Sequence, residues 1–118
     1  MARIRHYETM FIVKTTLTEE EIKNQIDTVK ANIEKNGGTI VSVDDMGNRE
    51  LAYEIEKNKR GYYYVIYFQA PSESIIELER NYRVNESILK FMFIKFDGKK
   101  EIAEWTKMST DAAKKEQK

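Results

Sequence analysis

The side chains in this sequence best suited to chemistry are charges and aromatic rings gathered in one run. Lys57, Lys59 and Arg60 precede Gly61, and Tyr62, Tyr63, Tyr64, Tyr67 and Phe68 follow it. Ammonium and guanidinium groups neutralise phosphates, and aromatic faces stack on bases, so this run suits a nucleic acid. A second basic group, Arg3, Arg5 and His6, lies near residue 1.

The groups that enzymes use are sparse. His6 is the only histidine, and a lone imidazole beside two arginines reads as a surface or RNA-contacting residue before a general base. Asp44-Asp45 offers two carboxylates to a magnesium ion, but adjacent loop acids are ordinarily just solvated. The sequence has no histidine–carboxylate cluster at metal spacing and no glycine-rich phosphate loop; Gly37-Gly38 reads as a helix stop. Asn85-Glu86-Ser87 fits a glycosylation sequon, which has no meaning in the cytoplasm. No catalytic residue, metal, cofactor or small-molecule substrate is expected.

With 118 residues and 41% hydrophobic content, the chain can bury one core without cysteines, of which it has none. Twenty basic and twenty acidic residues cancel. That argues against a protein coated by nucleic acid on all sides and leaves binding to local patches. The first residues contain no apolar run of signal-peptide length, and no stretch is apolar enough to cross a bilayer, so a cytoplasmic protein is expected.

The elements that position these groups follow from periodicity. Tyr7, Thr9, Phe11 and Val13 alternate with Glu8, Met10 and Ile12 in a first, central strand. Thr18 with Glu21 forms a capping box, and Ile22, Ile26, Val29 and Ile33 make one helical stripe ended by Asn36-Gly37-Gly38. Thr39 to Glu56 reads as one long strand bent at Gly47, joined through a polar link, Lys57 to Gly61, to a tyrosine-rich strand. After Pro71, Ser72 is the expected cap of a second helix carrying Ile75, Leu78 and Tyr82, and Ile88 to Phe96 is a fourth strand.

This order predicts a ferredoxin-like split βαβ sandwich (βαββαβ), an α+β fold with four antiparallel strands and two helices on one face. Residues 1–97 form that domain. Residues 98–118 are expected to be a charged, partly disordered tail, with Ile102 and Trp105 able to dock a short helix. Alternation sends Tyr7, Phe11, Val13, Tyr64, Ile66, Phe68, Phe91 and Phe93 towards the helices. It leaves Met10, Ile12, Tyr63, Val65, Tyr67, Met92 and Ile94 on an open face large enough to imply a partner.

Three segments in order are similar to one family, the sixth protein of the bacterial small ribosomal subunit. Arg5-His6-Tyr7-Glu8 resembles its start, and Gly47-Asn48-Arg49-Glu50-Leu51-Ala52-Tyr53 resembles its Gly-x-Arg-x-Leu-Ala-Tyr signature. Arg83 to Lys90 resembles its last helix-to-strand passage. The resemblance spans residues 3–97 and implies a structural role in the ribosome. It implies binding to the central domain of small-subunit ribosomal RNA as a heterodimer with the eighteenth small-subunit protein, which would bring much of the positive charge. Carried over for RNA are Arg3, Arg5, Arg49, Lys57, Lys59, Arg60 and Lys90. Carried over for the protein partner are Leu51, Tyr53, Ile55, Tyr63 and Met92.

A rival resemblance is the RNA recognition motif, through Arg60-Gly61-Tyr62-Tyr63-Tyr64-Val65-Ile66-Tyr67. It requires Tyr62 and Tyr64 to stack on bases from the open face, whereas alternation buries Tyr64. A small enzyme on the same fold is the third alternative.

Overall fold

The computed structural model describes residues 4–116. Its elements follow as β1 (Ile4–Lys14), α1 (Glu19–Lys35), β2 (Thr39–Ile55), β3 (Asn58–Pro71), α2 (Ser74–Arg83), β4 (Ile88–Phe96) and α3 (Gly98–Glu116). The strands form one sheet in the order β2-β3-β1-β4, every neighbour antiparallel. This is the expected ferredoxin-like α+β fold, extended by a third helix.

Burial of one face of the sheet explains the first two helices. Ile22, Ile26, Val29 and Ile33 of α1 and Leu78 and Tyr82 of α2 pack on Tyr7, Phe11, Val13, Tyr64, Ile66 and Phe68. Tyr82 lies among Phe11, Phe91 and Phe93, with ring centroids 4.8 to 5.6 Å away. Its hydroxyl, 2.9 Å from Thr9 Oγ1, has the partner that a buried phenol needs. Burial raises the pKa of that phenol well above its ordinary value.

Local chemistry sets the helix ends. Thr18 Oγ1 accepts from the Glu21 N–H at 3.1 Å and Glu21 Oε1 accepts from the Thr18 N–H at 3.0 Å, completing the capping box. The Thr18 N–H, and then the Thr18 hydroxyl, act on the Glu21 carboxylate and lower its pKa. Gly37, at φ +88°, takes the left-handed turn out of α1. The start of α2 differs from the expected Ser72 cap. The cap position is Glu73, whose side chain makes no capping bond to the helix, and the Ser74 hydroxyl instead donates to the Pro71 carbonyl at 2.6 Å. Strand β3 runs through Pro71 and shifts the helix start onward.

The C-terminal segment also differs from expectation. Instead of a partly disordered tail with a short docked helix, residues 98–116 form α3, which crosses the sheet on the face opposite α1 and α2. Trp105 is its anchor: the ring meets His6 edge-on at 4.7 Å, and its Nε1–H donates to the Tyr7 carbonyl at 2.9 Å. Trp105 and Ala112, with Met108 beside them, pack on Val65, Tyr67 and Phe96, and the Ser42 hydroxyl donates to the Ser109 carbonyl at 2.8 Å. The docking stripe includes Ser109 and Ala112. Small residues let the helix approach the strands, and with Trp105 and Met108 they recur at helical spacing, a stripe as marked as that of α1.

Candidate RNA and partner interface

Helix α3 does not cover the whole face. Cross-strand rows on it run Tyr67–Glu8–Ile94, Val65–Met10–Met92 and Tyr63–Ile12–Lys90. Val65 and Tyr67 are buried beneath α3, whereas Met92 and Ile94 on the outer strand remain 40% and 37% exposed. The predicted open face is therefore reduced to one corner, bounded by β4 and by the far end of the β2–β3 hairpin.

Gly61 shapes that corner. A Cβ built there would overlap Ile12 Cγ2 and lie 3.3 Å from Leu51 Cδ2. The missing side chain thus lets Ile12 and Leu51 close over the strand, and both are buried. The next inward candidate, Tyr53, is 62% exposed. The Lys90 ammonium donates to its hydroxyl at 3.1 Å. Lys90 and Tyr53, assigned separately to RNA and to protein from the sequence, are held as a pair. Tyr63 is half-buried on the same face, and Ile94, which alternation placed there without assigning it to the site, joins Met92.

The hairpin carries the basic groups differently from the expected link. The turn is Glu56-Lys57, both at positive φ (48° and 67°), while Lys59, Arg60 and Gly61 belong to β3. Ile55 opposes Asn58 at the base of the turn, and Asn58 Nδ2 donates to the Ile55 carbonyl at 3.2 Å. That amide bond helps hold two non-glycine residues in the left-handed region. Arg49 uses Nε to donate to the Met46 carbonyl at 3.1 Å, and Arg60 uses Nε to donate to Asn48 Oδ1 at 2.8 Å. Both side chains are thereby oriented with their terminal nitrogens left for other acceptors. Among the described residues, Arg49, Lys57, Lys59 and Arg60 are exposed and form no ion pair.

Arg5 stands apart. It opposes Ala70 at the other end of β1, about 30 Å from the hairpin end at the usual strand rise, and pairs with Asp97 at 2.9 Å. Arg3 lies outside the described residues. The structure thus brings Arg49, Lys57, Lys59, Arg60 and Lys90 to one end and leaves Arg5 at the other.

The acids read as a magnesium candidate do not converge. Asp44 Oδ2 lies 3.6 Å from Lys115 of α3, while Asp45 accepts the Tyr62 hydroxyl on both oxygens at 2.6 and 2.8 Å. Burial, and then that bond, push the Tyr62 phenol up to about 12. No group of three or more metal-ligating side chains occurs among the described residues. Tyr64, the ring on which the recognition-motif reading depended, is 5% exposed and sits under α1 and α2. That burial is incompatible with stacking from the open face.

Comparison with known proteins gives a consistent picture. A family model described as Ribosomal protein S6 matches residues 6–95. The small ribosomal subunit protein bS6 of Helicobacter acinonychis is 56% identical over 112 residues, covering 95% of this chain and 79% of that protein. The bS6 protein of a Nitratiruptor species is 51% identical over 111 residues, covering 94% and 87%. Among solved structures, the 30S ribosomal protein S6 of Thermotoga maritima superposes with a TM-score of 0.79 at 35% identity. It covers 92% of this chain and 99% of that one.

Proposed function

The chain belongs to the ribosomal protein S6 family, a family of ribosomal structural proteins of the small subunit, and from that membership we propose how it binds there. It contacts small-subunit ribosomal RNA through Arg49, Lys57, Lys59 and Arg60. The exposed corner of the sheet, Tyr53, Tyr63, Lys90, Met92 and Ile94, receives the eighteenth small-subunit protein. Arg5 is a separate RNA contact at the opposite end; Arg3 is a further RNA contact on the family resemblance alone. Leu51 and Ile55 support the corner from within the hairpin and touch the partner less.

The observation that carries this reading is the adjacency of two unlike surfaces at one end of the sheet. The apolar corner left by α3 calls for a protein, since aromatic and methionine side chains are the typical core of protein interfaces. The unpaired basic groups on the neighbouring hairpin call for phosphates, which position an RNA while its shape supplies selectivity. Splitting the task between two partners is compatible with a net charge of zero. No helix among the described residues is long and apolar enough to cross a membrane.

The test is binding to a central-domain fragment of small-subunit ribosomal RNA, with and without the eighteenth small-subunit protein, across a salt series. The expected result is weak binding alone and tight, salt-sensitive binding with the partner. Replacing Arg49, Lys57, Lys59 and Arg60 by glutamine lowers the slope of log affinity against log salt by roughly 1 for each phosphate left without its cation. An unchanged slope with the partner bound would refute the hairpin assignment.

A further inference from the structure

The outer strand of the sheet offers more than its face. β4 neighbours β1 alone, so its other side is an edge. The Met92 carbonyl accepts the Thr9 hydroxyl at 3.1 Å, which fixes that carbonyl on the β1 side. Alternation of an antiparallel strand then turns the N–H and C=O groups of Phe91, Phe93 and Lys95 outward.

The two edges of the sheet are treated differently. β2 is broken by three register shifts and a positive-φ Gly47, and α3 is tied to it at Ser42 and Asp44. Such bulges and covers are the usual protection against strand addition. β4 has one irregularity against β1, between Ile12 and Val13, after which its pairing is regular from Lys90 to Phe96. It contains no proline, glycine or acid. Its side chains Met92 and Ile94 belong to the exposed corner described above.

We propose that an extended segment of the partner protein adds to the β4 edge as a further, outer strand. This rests on the partner reading above and specifies its mode: main-chain hydrogen bonds at the edge, with side chains laid on the adjoining corner. The segment is apolar at its centre, where it lies beside Phe91, Met92, Phe93 and Ile94. It carries a carboxylate opposite Lys95, which is exposed and has no ion pair among the described residues. A second copy of this chain fits less well. Pairing β4 with itself would bring Lys90 and Lys95 of both copies to one seam with no acid on either strand.

The experiment is residue-resolved amide exchange by NMR on the full chain, alone and with the eighteenth small-subunit protein. The expected result is at least tenfold slower exchange at Phe91, Phe93 and Lys95 in the complex. Lys95→Pro removes one outward donor at an exposed position, where an edge strand tolerates proline, and is expected to weaken the complex at least tenfold with the spectrum of the free fold retained. Should that variant unfold, wild-type exchange decides alone. A complex that leaves the three amides exchanging as in the free chain overturns strand addition and spares the partner reading. Absence of any complex overturns both. Slowing that instead follows the concentration of this chain alone assigns the edge to a second copy and overturns the proposal.

Discussion

Removing the Trp105 ring should show how firmly α3 is held. The side chain is 4% exposed, packs beside Val65, Tyr67 and Phe96, meets His6 edge-on and donates its indole N–H to the Tyr7 carbonyl. Trp105→Ala removes a large buried ring and leaves that volume between a helix and three strands. Such truncations cost about 3–5 kcal/mol. For a domain of this size each kcal/mol moves the melting midpoint by about 3–5 °C, so a fall on the order of 10–20 °C is expected. Trp105→Phe keeps a six-membered ring but removes the donor and part of the indole, so it should cost about 1 kcal/mol from the bond and somewhat more from the smaller ring. Urea unfolding followed by far-UV circular dichroism, with amide exchange across residues 98–116, separates global loss from detachment of α3. If α3 detaches alone, its amides exchange freely while β1 and β3 stay protected. Trp105→Ala within about 1 kcal/mol of wild type, with α3 amides still protected, would refute the anchoring argument.

Other expectations follow from the same packing. Gly61→Ala forces a methyl group into Ile12 Cγ2 and should destabilise by about 1–3 kcal/mol in chemical denaturation, since that atom belongs to a buried β-branched side chain with few rotamers to turn to. Tyr82→Phe removes a buried hydroxyl, yet Thr9 still donates to the Met92 carbonyl, so a loss of about 1 kcal/mol is expected in the same assay. The Glu8 carboxyl is raised above its ordinary value of 4.5, first by burial and then by Asp44. The folded state therefore binds the proton more tightly than the unfolded chain, and Glu8 lowers stability as pH rises from about 4.5 through its raised folded value. Glu8→Gln should be more stable than wild type at neutral pH, with that advantage vanishing as pH falls below the window. Denaturation midpoints measured across pH 4–8 check the sign.

The sandwich was legible before any contact between elements was known. Phe11 and Ile66 on one side of their strands, the four-residue and three-residue steps from Ile22 to Ile33, and the Thr18–Glu21 box are local patterns. The periods of strand and helix are fixed by backbone geometry, so such patterns survive without knowledge of the fold. The signature from Gly47 to Tyr53 was equally legible, because a bend at a positive-φ glycine leaves a residue-type signal. The basic hairpin was readable as composition, and its turn was not. Glu56 and Lys57 carry no marker for positive φ, and the Asn58 bond that helps hold them there forms only in the folded chain.

What the tertiary structure alone decided was which part of the sheet stays uncovered. Val65, Tyr67 and Met92 have the same alternation, yet α3 buries the first two and leaves the third exposed. The helix docks through Trp105, Met108, Ser109 and Ala112, so its hold comes from the buried indole, from close approach and from the Tyr7 and Ser109 carbonyl bonds. The stripe itself recurs at helical spacing along α3, but which face of the sheet it covers, and how far, is set only by the folded chain. The pairing of Lys90 with Tyr53, 37 residues apart, and the opposite directions of Asp44 and Asp45 are likewise products of register. One-residue steps in a strand reverse the side of every side chain, so only the assembled sheet fixes which groups meet.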